Sequence, residues 1–218
     1  MAVPMKIDFV SDIACPWCAV GLASLQQALA RSTDAVEATL RFQPFELNPD
    51  MPPGGEDIDE HLVRKYGGSP EQFARNRDLI RERGAAVGFS FHPDGRGRIY
   101  NTFNAHRLMH WAGLEGEARQ LALKRALMEA YHGRAEAVEK DDILLDAVKA
   151  AGLDGARAQA VLASDEYAAE VRAAERAYQQ AGVSSVPAVI INDRHLISGG
   201  QPPEVFEKAL RQIAAEAA

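Results

Sequence analysis

The chain has 218 residues, of which 47% are hydrophobic and 25% charged, enough apolar material to bury the core of one large domain or two small ones. Its formal net charge of −7, with no clustered basic run, argues against a surface built for nucleic acid or anionic lipid. The start has no charged region followed by an apolar stretch and nowhere do about 18 apolar residues run together, so no membrane contact and a cytoplasmic location are expected.

In chain order, Lys6–Val10 alternates and is rich in strand formers, predicting a first strand. Ser11 and Asp12 then lead into Cys15-Pro16-Trp17-Cys18 and a helical stretch, Val20–Arg31, whose Leu22, Leu25 and Leu29 share one face. Thr39–Phe45 alternates again as a second strand, which makes a β-α-β unit with parallel strands and a right-handed crossover. The breaker cluster Leu47–Gly55 marks a boundary. Helical patterns follow at 57–66, 70–87, 100–112, 117–132 and 141–151, too much helix for a loop, and they predict an inserted all-helical subdomain over 49–152. Asp165–Gln180 reads as a further helix ended by Gly182. Pro187–Ile191 and His195–Ser198, joined by Asn192-Asp193, read as an antiparallel pair, and Pro202-Pro203 open a last helix after the break at Gly199-Gly200. The fold class expected is therefore α/β, with residues 1–48 and 153–218 forming one domain around the insertion.

The two cysteines are the only ones in the chain and stand three apart, a poor framework for stapling long loops. Disulfide exchange needs one thiolate that attacks and a second thiol close enough to resolve the mixed disulfide, and positions one turn apart at a helix start supply both. Pro16 suits the first helical position, where its missing N–H costs nothing. Cys15 then faces the free N–H groups and the positive end of the helix dipole, so it is assigned as the nucleophile with a depressed pKa, and Cys18 as the resolving thiol. A zinc knuckle would want four ligands, which six scattered histidines do not supply, and no metal or bound organic cofactor is expected. Gly84–Gly88 lacks the pattern of a nucleotide loop. Val186-Pro187 stands at the entry of the returning strand, where a cis proline could present backbone to a substrate.

The segments Ser11–Cys18, Phe42-Gln43-Pro44-Phe45, Asn101–His106, Val186-Pro187 and Ile197–Pro202 together carry a resemblance to the DsbA-like thioredoxin superfamily, and within it to the FrnE-type branch, over essentially the whole chain. The resemblance implies a thioredoxin-like fold with an inserted helical domain, a redox-active pair at Cys15 and Cys18, a cis bond before Pro187, and a substrate cleft with the insertion as one wall. It also associates the branch with polyketide biosynthesis. Kappa-class glutathione transferases and 2-hydroxychromene-2-carboxylate isomerases look similar across the insertion but typically carry serine where Cys15 stands.

The expected function is therefore a thiol-disulfide oxidoreductase of the protein disulfide oxidase or isomerase type, acting on a protein or small-molecule thiol or disulfide. A glutathione-dependent transferase or isomerase, and a non-catalytic binding or chaperone-like module, are the alternatives. Pro16, Trp17, Val186 and Pro187 are expected to bind substrate, with Trp17 on an exposed apolar docking surface, and Phe103 and His106 to line the cleft. His106 also offers a proton shuttle near a thiol. A homodimer stays open.

Overall fold

The computed structural model describes residues 2–217. Strand β1 (Val3–Ser11) runs parallel to β2 (Val36–Pro44), and helix α1 (Pro16–Arg31) makes the crossover between them. The two returning strands, β5 (Ala188–Ile191) and β6 (His195–Ser198), complete a four-stranded sheet in the order β2-β1-β5-β6. Phe9 faces Phe42 in the β1–β2 register and Val189 in the β1–β5 register. Being central, β1 buries both faces: Met5, Ile7 and Phe9 enter the main core, while Val10 packs with Phe45, Val183 and Ala188. Phe9 and Phe42 meet edge to face with ring centroids 5.8 Å apart. Helix α9 (Pro203–Ala217) packs against α1 and adds Phe206 and Leu210 to that core.

The insertion begins with α2 (Ile58–Tyr66) and α3 (Pro70–Ala86), continues through α4 (Phe103–Leu114) and α5 (Glu117–Met128), and reaches α6 (Asp141–Ala150). It is not wholly helical: β3 (Glu56–Asp57) and β4 (Arg98–Ile99) pair as a short antiparallel ribbon. The last turn expected of α5 is a π-helical segment, Glu129–Gly133. Helix α7 (Gly155–Leu162), which the boundary at 152 leaves outside the insertion, packs on α6 and α4 through buried Ala158 and Val161. Helix α8 (Ala168–Gln180) starts three residues later than its amphipathic pattern, because Tyr167 sits in the left-handed region at φ 64°. Helices α4, α5 and α8 pack against β2.

Candidate active site

Ser11 ends the central strand, and the chain turns through Asp12, Ile13 and Ala14 before α1 begins. Cys15 is the residue ahead of the helix, in extended conformation, and Pro16 occupies the first turn. Cys15 and Cys18 lie 3.4 Å apart as free thiols. Cys18 is wholly buried, and Cys15 is 4% exposed. The Cys18 thiol donates toward the Cys15 sulfur and, aided by backbone N–H groups of the first turn, pulls the Cys15 pKa below its ordinary value against the opposing effect of burial. Burial, together with the neighbouring Cys15 charge, pushes Cys18 well above its ordinary value. One sulfur is thus poised to carry charge and the other to keep its proton.

The Val186–Pro187 bond is cis, and the Val186 carbonyl oxygen lies 3.5 Å from the Cys15 sulfur. Two glycines let this loop close on α1. A Cβ on Gly21 would stand 3.1 Å from the Pro187 ring and 3.2 Å from Gly200 Cα, and one on Gly200 would stand 2.8 Å from the Trp17 carbonyl oxygen. Trp17 is accordingly half-buried in the cleft wall, not on an exposed docking surface.

The loop before Cys15 is held by residues from far along the chain. Asp12 Oδ1 accepts from Ala14 N at 3.0 Å, Thr102 Oγ1 at 2.8 Å and His106 Nε2 at 3.3 Å, and Oδ2 accepts from Leu47 N at 2.7 Å. Burial works against the Asp12 charge, but the hydrogen bond from His106 and the backbone donors outweigh it and hold the carboxyl below its ordinary value. His132 Nε2 donates to the Ile13 carbonyl at 2.8 Å, and Arg96 donates to the Ala14 carbonyl. Burial drives the His132 pKa well below its ordinary value, so its ring is neutral. Lys124 on α5 is fully buried close to Asp12 and both thiols, and burial lowers its pKa to about 8 against their attraction.

A cleft of about 790 Å³ opens onto Cys15, Pro16, Trp17 and Val186 and is walled by α2, α3 and the segment 91–99. Phe103 and His106 do not line it, which corrects the expectation from sequence. His106 is buried behind the motif on Asp12, and Phe103 is covered by the Arg172 guanidinium, 3.9 Å from its ring centroid. Arg96, Lys124 and His132 were not singled out from sequence. The π-helical turn that places His132 leaves no periodic signal, and Lys124 reads as an ordinary helical lysine until its burial is seen.

The profile of the DSBA-like thioredoxin domain matches residues 6–211. The chain belongs to this family. The chain is 36% identical to a probable DsbA oxidoreductase from Streptomyces coelicolor, with a TM-score of 0.87 over 98% of this chain and 91% of that one. It is 27% identical over 96% of both chains to the uncharacterized protein YwbO of Bacillus subtilis. The cytosolic disulfide reductase DsbM of Pseudomonas aeruginosa, solved with GSH, shares the fold at 15% identity, with a TM-score of 0.67 over 96% of this chain and 99% of that one. As a DSBA-like protein it has the fold expected of a thiol oxidoreductase. Among its described residues no helix is long and apolar enough to cross a membrane.

Proposed function

We propose that the protein is a thiol-disulfide oxidoreductase of the oxidase or isomerase type, working through the Cys15–Cys18 pair. The observation that carries this reading is the opposed pull on two adjacent sulfurs, one toward thiolate and one toward thiol. In the oxidising direction a substrate thiolate attacks the Cys15 sulfur of the Cys15–Cys18 disulfide, the protein S–S bond breaks, and Cys18 leaves and takes up a proton. A second substrate thiolate then attacks the substrate sulfur of the mixed disulfide and expels Cys15 as thiolate. The substrate dithiol loses two electrons and the pair gains them. A stabilised Cys15 thiolate is the better leaving group, which favours this direction. The reverse exchange with another disulfide restores the oxidised pair. The two thiols, both in the motif, suit a cytoplasmic setting in which any disulfide is catalytic.

Insulin disulfide exchange tests the reading. Cys15→Ser is expected to abolish it, since the one thiol left, Cys18, is wholly buried and held protonated, and Cys18→Ser to accumulate mixed disulfides visible by mass spectrometry. Full activity in Cys15→Ser overturns the mechanism.

A further inference from the structure

Three arginines line the cleft beside Cys15, and two of them are neutralised. Arg77 pairs with Asp59 at 2.6 Å and Arg81 pairs with Asp78. Arg96 has no carboxylate within ion-pair distance among the described residues. It is half-buried, donates one N–H to the Ala14 carbonyl, and rests over the Tyr131 ring with 4.9 Å to the centroid. Its place is built: Gly95 and Gly97 on either side take φ of 76° and 71°, a conformation that other residues adopt only under strain. Held by a carbonyl and a ring face and without a carboxylate partner, this cation keeps N–H donors for an anionic group that enters the cleft.

The wall also presents the apolar side chains of Trp17, Ile58, Leu62, Phe73, Ile80 and Phe91 to the same space, interspersed with polar residues that include Asp94 and His92. The volume falls in the range of roughly 300 to 1,000 Å³ typical of small-molecule sites. We infer that the cleft takes a small, largely apolar disulfide bearing a carboxylate, which docks its anionic end on Arg96 and reoxidises the Cys15–Cys18 pair. The inference rests on the disulfide-exchange reading above and names the chemical class of its electron acceptor. The Cys15 thiolate attacks one sulfur of the small disulfide and releases the first small thiolate. Cys18 then gives up its proton, attacks the Cys15 sulfur and releases the second. The acceptor gains two electrons and the pair loses them.

Two aromatic disulfides serve as probes against the reduced protein, dithiobis(nitrobenzoate) with a carboxylate on each ring and neutral dithiodipyridine, with release of the coloured thiols followed by stopped flow. Arg96→Gln is expected to slow the carboxylate probe about tenfold more than the neutral one, the scale of one lost charge-assisted hydrogen bond. Arg96→Lys should fall between. In the unmodified protein, added salt should slow the carboxylate probe and leave the neutral one unchanged. Equal slowing of both probes by Arg96→Gln means that Arg96 acts only through the Ala14 carbonyl, and overturns the inference while exchange stands. If that variant does not fold, the salt comparison decides, and a carboxylate probe indifferent to salt overturns it. If neither probe oxidises the unmodified protein, the exchange reading fails and this inference falls with it.

Discussion

Glu46 and Lys124 are buried titratable groups whose opposed shifts meet near the same pH. Glu46 shares Arg172 with buried Glu175, and one oxygen of each carboxylate has no hydrogen-bond partner. Burial, reinforced by the Glu175 charge, raises the Glu46 pKa from 4.5 to about 8. The folded state therefore holds a proton that the unfolded chain has released. The stability linked to that proton is full below 4.5 and lost as pH rises through about 8. Lys124 works in the other sense: burial lowers its pKa from 10.5 to about 8, so between those values the unfolded chain binds the extra proton and stability rises with pH. Denaturant unfolding across this range should show a minimum near pH 8. Glu46→Gln should flatten the acid side of that minimum and Lys124→Met the alkaline side, each variant gaining on the parent by about 1 kcal/mol or more near the minimum. A parent profile without a minimum would show that neither charge is as costly as its burial implies.

At the scale of elements, the site depends on how closely α1 is approached by the Pro187 loop and the turn after β6. Both approaches are set by glycines that sequence patterning reads only as a helix-permissive residue and a strand breaker. At Gly200 the neighbour is the Trp17 backbone, which cannot swing aside, and at Gly21 it is the Pro187 ring. Gly200→Ala and Gly21→Ala should each cost about 1 to 3 kcal/mol by overpacking and slow disulfide exchange. Gly155→Ala, at the start of α7 with only the Lys149 side chain nearby at 3.9 Å, should leave activity unchanged and stability equal or higher. Chemical denaturation and the insulin assay separate the three. Exchange undiminished in both of the first two variants would mean that the close approach does not serve the site.

At the scale of the whole molecule, the redox state and the fold are linked. A depressed Cys15 pKa adds stability to the reduced form that is full above the ordinary value of 9.0 and is lost as pH falls through the folded value. The disulfide constrains the unfolded chain through only a short loop, which limits the opposing gain. The stability of the reduced form relative to the oxidised form should therefore rise as pH climbs toward the ordinary thiol value of 9.0, as measured by unfolding both forms in denaturant. A difference that stays flat or falls would contradict the thiolate assignment. The alternation of Lys6–Val10 and Thr39–Phe45, the helical periods between them and after Gly55, and the closing α-β-β-α order were legible because each is a local pattern. So was the pair itself, three positions apart at a helix start. The polar anchors of the Ile13–Ala14 turn were not, since His132 and Arg96 reach it from 119 and 82 positions away. Phe103 and His106 were misplaced for a related reason: a resemblance locates a segment but not the direction of its side chains. Helix α7 escaped because it is only eight residues long and opens on Gly155, so its one buried face, Ala158 and Val161, spans a single turn. The strand order has one more consequence, which concerns synthesis. Residues 7–10 of β1 pair on one side with β5, residues 188–191. A chain made from its N-terminus therefore exposes its two thiols early, with one edge of their supporting strand unpaired until nearly the whole polypeptide has left the ribosome. For most of its own translation the protein is a pair of thiols on an unfinished sheet, itself the kind of client that the proposed disulfide exchange would serve.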